Sequence, residues 1–340
     1  MRGGARPTVG WRIVLHRGRT ALLLLSVGLA VQAPVQLSAA ILTDQESSTS
    51  SLTAASSFDL VAPTVTAGVV SKAGESVVGR IHAGGAYHVY ANAIDSGAWA
   101  SGVASVSADA SNVTAGQSAV PLVAGAYTVG GVSYAYRSAA MAADAGLPAG
   151  DRVVSVTATD LDGNVGDPGV FSVTVDNTRP AGAAIQSANG GGSVGKPEAG
   201  DSITFSFTEP IDPASILVGW TGGPTPVVVR IADGGLGADI LTVRDAGNVA
   251  QLPLGTVGLG GGSYVSATRT FGTGGATSTM SMSGSTVSIV LGTPSGTTGT
   301  APLGANMSWT PSTAAFDGAG NFCESTAVTE NDGILPDVEF

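Results

Sequence analysis

The sequence predicts an all-β chain: two antiparallel β-sandwich domains in tandem after an N-terminal signal segment. Three observations carry this. Apolar and polar residues alternate with period two in run after run, the pattern of a strand with one face buried and one wet. Turn residues such as Asp162-Gly163 and Asp233-Gly234 separate the runs. A short motif recurs 157 positions apart, near the end of each half. The chain's 340 residues suit two domains.

The first forty residues read as an address. Arg2, Arg6, Arg12, Arg17 and Arg19 precede any acid, and the apolar stretch 21–31 follows. Gln32 and Pro34 break it, and Ser38-Ala39-Ala40 supplies small residues. This is the order of a secretory signal, and the stretch is short for a spanning helix. An uncleaved anchor is the alternative. No adjacent arginine pair marks a twin-arginine signal. Residues 41–61, rich in Ser and Thr, read as a solvated linker.

Composition narrows the function classes. Gly supplies 50 residues, charged residues are 11%, and the net charge is -11. Without the five leading arginines the rest is more acidic still. Its lysines are Lys72 and Lys196 alone. That argues against a nucleic-acid partner, since phosphate binding needs clustered cations. It suits a soluble, self-repelling surface protein. The lone Cys323 excludes an intrachain disulfide and reads as a small, half-buried strand residue, with pairing to another molecule as the alternative.

Val154, Val156 and Ala158 alternate with Ser155 and Thr157; Phe171, Val173 and Val175 alternate with Ser172 and Thr174. Ile203, Phe205 and Phe207 share one face of another run, and Val287, Ile289 and Leu291 of a later one. One short helix is expected, with Asp212 as cap, Pro213 at its first position and Ala214–Leu217 following. The repeated motif, Ala-x-Asp-x-x-Gly-Asn, occurs at Ala158–Asn164 and Ala315–Asn321. After the first copy come a last strand, then Val175–Pro180, then a Gly-rich stretch over 189–195, which together mark a domain boundary. The first domain therefore runs over 62–180 and the second over 181–340. Residues 255–284, rich in Gly and Thr, show no compact pattern and read as an insertion in the second domain.

Two resemblances follow from ordered motifs. Ile41-Leu42-Thr43-Asp44, the Ser-rich run and Phe58-Asp59-Leu60 resemble the cleavage region of camelysin-type, SipW-dependent signal peptides. The resemblance implies cleavage after Ala40; Leu42 stands where those peptides carry Phe. Asp95-Ser96-Gly97, the SGVASV run at 101–106, the run 154–166 and the VTVDNTRP run at 173–180 resemble bacterial Ig-like (Big-type) domains of surface proteins. The second half resembles a divergent Ig-like domain. That family implies an Ig-like sandwich and roles in display, adhesion or spacing.

Candidate sites are few. Asp160, Asp162 and Asn164, joined by Asp176, are the candidate calcium ligands, because Ca²⁺ takes six to eight oxygens from closely spaced Asp and Asn. An EF-hand is excluded, since Phe171 stands where its bidentate Glu belongs. The competing reading is a plain Asp-Gly-Asn turn. Gly191–Gly195 has the Gly-x-Ser-x-Gly form of a nucleophile elbow, but no histidine follows Ser193. His88 reads as an exposed strand histidine. Glu209 and Asp212 are explained by a strand end and a helix cap. Trp309 reads as core, and Trp99, flanked by small residues, as an exposed ligand-binding aromatic.

The expected function is a non-enzymatic exported structural or adhesion module, secreted or associated with the cell surface or cell wall. A fibre- or matrix-forming subunit assembled by strand addition and a carbohydrate-binding accessory module are the alternatives. No cofactor is expected beyond a structural Ca²⁺. The partner is a surface protein or glycan, or another copy of the chain; membrane contact runs only through an uncleaved signal segment. No sorting signal or apolar tail is read in the last residues.

Overall fold

Alternation becomes strands wherever the sequence shows it. In a computed structural model, which describes residues 59–72, 77–190, 192–331 and 339–340, every long element is a strand. The signal segment, Ala40 and most of the Ser/Thr-rich run lie outside the described residues. Among the described residues no helix is long and apolar enough to cross a membrane.

The first sandwich contains β1 (Thr64–Lys72), β2 (Arg80–Ile81), β3 (Ala86–Ile94), β4 (Val103–Asp109), β5 (Val120–Val129), β6 (Val132–Ser138), β7 (Met141–Ala142), β8 (Gly150–Asp160) and β9 (Gly169–Val175). Their order is β1-β3-β6-β5-β4-β8-β9-β2, with β7 on β3. All pairings are antiparallel except β2 with β9, which is parallel. β8 places Val154, Val156 and Ala158 inward, as its alternation dictates. Phe171 of β9 lies against β1 at Gly68, where a Cβ would meet the ring at 2.5 Å. Glycine is needed there for the close approach.

The second sandwich contains β10 (Gly182–Ala188), β11 (Ser202–Phe207), α1 (Pro213–Ile216), β12 (Thr225–Ala232), β13 (Ile240–Arg244), β14 (Thr256–Gly258), β15 (Arg269–Phe271), β16 (Ser278–Ser283), β17 (Thr286–Val290), β18 (Ser308–Thr310) and β19 (Val328–Thr329). Their order is β10-β11-β17-β16-β12-β13-β14-β18-β19, with β15 on β12. Trp309 is fully buried, edge-on to Phe205 and Phe207, and its Nε1 donates to the Leu254 carbonyl at 2.6 Å. Asp212 caps α1 as expected, its carboxylate accepting from the Ala214 N–H.

Three expectations are corrected. The 255–284 stretch is no insertion outside the core: it supplies β14, β15 and β16, and Tyr264, Val265, Phe271 and Met280 are buried in the main cluster. His88 is buried, not exposed, because the β5–β6 hairpin folds over the outer face of β3. There Tyr90, Tyr134 and Val129 form a small second core, and His88 Nδ1 lies 2.9 Å from the Ser138 carbonyl oxygen. Cys323 is wholly buried and lies outside the strands, and burial pushes its thiol up to about 11. A protonated, enclosed thiol is a poor partner for disulfide exchange.

The two sandwiches have separate cores, yet Ala55–Phe340 is one compact unit. Each sandwich has a leading pole, where its repeated turn sits, and a trailing pole at the opposite strand ends. The trailing pole of the first meets the leading pole of the second. Lys72, at the end of β1, donates to Asp212 at 2.9 Å, with side chains only 10% and 0% exposed. The same ammonium lies 4.8 Å from the centre of the Phe316 ring. Arg179 Nε donates to the Phe322 carbonyl, and Asn321 Nδ2 to the Asp176 carbonyl.

A buried pair broken from one side leaves an uncompensated charge, which costs about 3–5 kcal/mol. Lys72→Met should therefore lower the unfolding free energy by roughly that much. Adding Asp212→Asn, which removes the stranded charge and keeps a capping side chain, should recover most of it. Urea denaturation of the two variants checks both statements.

Candidate metal centres at the leading poles

The repeated motif builds the same turn twice. The Asp160 N–H donates to the Asn164 carbonyl at 3.1 Å, and the Asp317 N–H to the Asn321 carbonyl at 3.1 Å. Asp160 Oδ1 accepts from the Asn164 N–H at 2.7 Å; Asp317 Oδ1 accepts from the Asn321 N–H at 2.8 Å. Each Asn then donates its side-chain amide twice. Asn164 reaches Asp160 Oδ2 and the Asp59 carbonyl; Asn321 reaches Asp317 Oδ2 and the Asp176 carbonyl. Gly163 and Gly320 sit at φ +89° and +96°, where a side chain would be strained. The Asn amide thus fixes the segment entering each sandwich onto the turn that nearly completes it.

This geometry assembles two matching carboxylate clusters. Asp59, Asp95 and Asp160 bring oxygens within 4.8 Å of one another at the first leading pole. Asp176, Glu209 and Asp317 do the same at the second. The members correspond in order. Asp59 and Asp176 lie on the entering segment, Asp95 and Glu209 just beyond the second long strand, and Asp160 and Asp317 in the turn. The second cluster borders a cleft of about 210 Å³ together with Val77, Arg80 and Ile211.

Each cluster holds one enclosed carboxylate oxygen that accepts no hydrogen bond: Oδ1 of Asp95 and Oε1 of Glu209. Both oxygens of Asp59, Asp160, Asp176 and Asp317, and Oδ2 of Asp95, accept hydrogen bonds. Asp59 accepts from the N–H groups of Val61 and Ser101, which hold its carboxyl below the usual range. Asp95 Oδ2 accepts from the Gly102 N–H at 2.6 Å. Asp176 pairs with Arg80 at 3.3 Å. Burial, then the charges of Asp176 and Asp317, push Glu209 up to about 7, against the pull of Arg80.

The four residues expected to bind calcium therefore do not form one set. Asp160 and Asp162 share the first leading pole, but Asp162 Oδ2 accepts from the Asp59 N–H. Asn164 spends its amide on the turn. Asp176 belongs to the other cluster, at the opposite end of β8 and β9 from Asp160. Asp59, Asp95, Glu209 and Asp317 complete the two clusters and were not expected there. The signal lay in the repeat: an acid before each sandwich and another closing its second long strand. Glu209 and Asp212 serve different ends, one in the cluster and one on Lys72. Three all-carboxylate donors suit a hard cation such as Ca²⁺.

Trp99 is exposed as expected, and it takes the unusual φ of +69°. Trp220, Tyr87, Tyr90 and Tyr134 are buried, and Tyr136 is half-buried. The Ser193 N–H donates to Glu198, and His82 and His88 lie in the other sandwich.

Glu209 makes the joint pH-dependent. Its proton binds more tightly in the folded chain, between its ordinary 4.5 and about 7. The folded state then holds more protons than the unfolded one across that window, so unfolding free energy should fall as pH rises through it. Glu209→Gln should flatten that part of the profile, measured by denaturation at a series of pH values. An unaltered slope would assign it to another group.

A scan against protein-family models finds no match for this chain, and a search of curated proteins finds none either.

Proposed function

We propose that the chain is a non-enzymatic exported structural or adhesion module, a stiff two-sandwich spacer that holds its loops away from a surface. The buried Lys72–Asp212 pair carries this reading. A spacer transmits position only if its joint keeps one angle, and an enclosed ion pair tolerates little departure from its geometry. The signal-like N-terminus, the acidic composition and the resemblance to bacterial Ig-like surface domains point the same way. The Gly-x-Ser-x-Gly run adds no chemistry, having no histidine after it. The test is N-terminal sequencing of the protein recovered from medium and from cell wall. A chain starting at Ile41 in either fraction supports the reading; an intact chain confined to cytoplasm refutes it.

Within this reading, the two carboxylate clusters are places for structural calcium. The enclosed oxygens of Asp95 and Glu209 favour it, because a buried anionic oxygen with no donor lacks compensation that a cation supplies. Binding of an ion to the folded form alone raises stability with its concentration. Calcium should raise the melting temperature of the chain, EDTA should reverse the rise, and Asp95→Asn and Glu209→Gln should each diminish it. No calorimetric heat on adding calcium, with a melting temperature blind to EDTA, removes the reading.

A further inference from the structure

The trailing pole of the second sandwich, the end turned away from the joint, carries a cleft of about 490 Å³. That size falls within the roughly 300–1,000 Å³ of small-molecule sites. Three segments wall it: the β12–β13 loop, the stretch between β14 and β15, and the stretch after β17. The Ala301 N–H donates to the Gly195 carbonyl of the β10–β11 loop, which places the cleft at that pole.

The walls are fixed by bonds within the chain. Asp239 is fully buried, and its carboxylate ties the first two segments together. Oδ1 accepts from the Gly234 N–H at 2.9 Å, and Oδ2 from the N–H groups of Tyr264 and Val265 at 3.0 Å each. The third segment is held by the Gly299 N–H on the Tyr264 carbonyl at 2.8 Å and by Arg269 Nε on the Thr297 carbonyl at 3.0 Å. Backbones touch where the segments meet: a Cβ on Gly262 would overlap the Gly237 carbonyl oxygen, and one on Gly299 the Ser263 carbonyl oxygen. A cleft preset in this way needs little ordering when it binds.

The lining is rich in unspent hydroxyls. Ser263, Ser266, Thr297 and Thr298 line the cleft, and none of their hydroxyls bonds to a described residue. Neighbouring hydroxyls behave otherwise. Ser278 bonds the Phe271 carbonyl and the Gly292 N–H, Ser295 accepts from the Thr270 N–H, and Thr293 from the Ala276 N–H. Thr298 is the most telling, because it is only 7% exposed. A hydroxyl so covered ordinarily has a partner. Asp233 adds a carboxylate whose Oδ1 accepts from the Gly235 N–H at 2.7 Å and whose Oδ2 bonds to no described residue. No Lys or Arg among the described residues lines the cleft. An anion therefore finds no countercharge there, and a single carboxylate is too few for a hard cation. What remains is a neutral ligand that both donates and accepts through many hydroxyls. The side chain of Val265 supplies an apolar contact for the C–H face of a sugar ring.

We propose that this cleft binds a neutral oligosaccharide, with Thr298 and Asp233 as its central hydrogen-bonding groups. Asp233 accepts from sugar hydroxyls through Oδ2, and the Thr298 hydroxyl completes its bonding on the ligand. No aromatic side chain lines the cleft for stacking, so affinity rests on hydrogen bonds and is about millimolar. The inference goes beyond the spacer reading and does not depend on it. It gives that spacer something to present, since the cleft lies at the opposite end of the body from the segment that enters at Asp59.

Saturation-transfer NMR on the full chain tests it, with cellotriose, maltotriose and triacetylchitotriose as neutral probes and trigalacturonate as the anionic one. At least one neutral trisaccharide should receive saturation, and trigalacturonate should receive none. Thr298→Val removes only the unbonded hydroxyl and keeps the shape, so the melting temperature should not fall, while affinity should drop roughly fivefold, the scale of one hydrogen bond. Asp233→Asn keeps an acceptor for the Gly235 N–H and removes the charge, and should weaken binding by roughly tenfold, the scale of a charged hydrogen bond. Silence from all three neutral probes at about 10 mM, well above a millimolar constant, overturns the proposal. So does saturation that both variants leave unchanged, because the sugar then sits elsewhere, and so does a preference for trigalacturonate.

Discussion

One buried ion pair constrains how the two halves of this chain stand. Lys72 and Asp212 come from different sandwiches and meet at 2.9 Å with almost no access to water. Removing two charges from solvent is unfavourable, and attraction offsets it only in close geometry. Each partner is therefore anchored a second time, Lys72 by the Phe316 ring and Asp212 by the first turn of α1. Around the pair, Asn321 and Arg179 bond backbone oxygens across the joint. A sandwich-to-sandwich contact held only by apolar area would have no such directional requirement. The charges make the angle between the halves specific.

The repeated turn explains why carboxylates gather at both leading poles. An Asn amide must bridge the turn and the entering strand, so an acid on each is drawn close, and a third closes the second long strand. Two of the three carboxylates in each set have both oxygens held by backbone or side-chain donors. The third has an enclosed oxygen without a donor, and at Glu209 burial and two neighbouring charges raise the affinity for a proton. The same crowding that makes this carboxyl hold a proton would make it hold a cation. At the second pole Arg80 relieves part of the repulsion. At the first, no cationic side chain among the described residues does.

Much of the fold is legible in the residues. β8, β11 and β17 announce themselves by alternation, because each buries one face only. The helix cap at Asp212 is legible because Pro213 and a short apolar run follow it. The 255–284 stretch is not legible, because β14 and β15 are three residues long and its buried residues, Tyr264, Val265, Phe271 and Met280, come from loops as well as strands. No period can show over so few residues. His88 was misplaced for another reason. Alternation correctly separates its face from that of Tyr87 and Val89, which point into the main core, but a hairpin from elsewhere covers the outer face as well. The carboxylate partners of Asp160 lie 101 and 65 positions upstream at Asp59 and Asp95, so no local motif connects them. Only the repeat, read as two copies of one pole, brings them together.

A single angle between the sandwiches is the central physical claim, and a distance distribution measures it. Val123 and Val249 are exposed, one on each sandwich, and the buried Cys323 thiol is protected from labelling. Spin labels on Val123→Cys and Val249→Cys should give one narrow distance in pulsed electron-electron resonance, and Lys72→Met should broaden it. A broad distribution in the chain that retains Lys72 would contradict the claim.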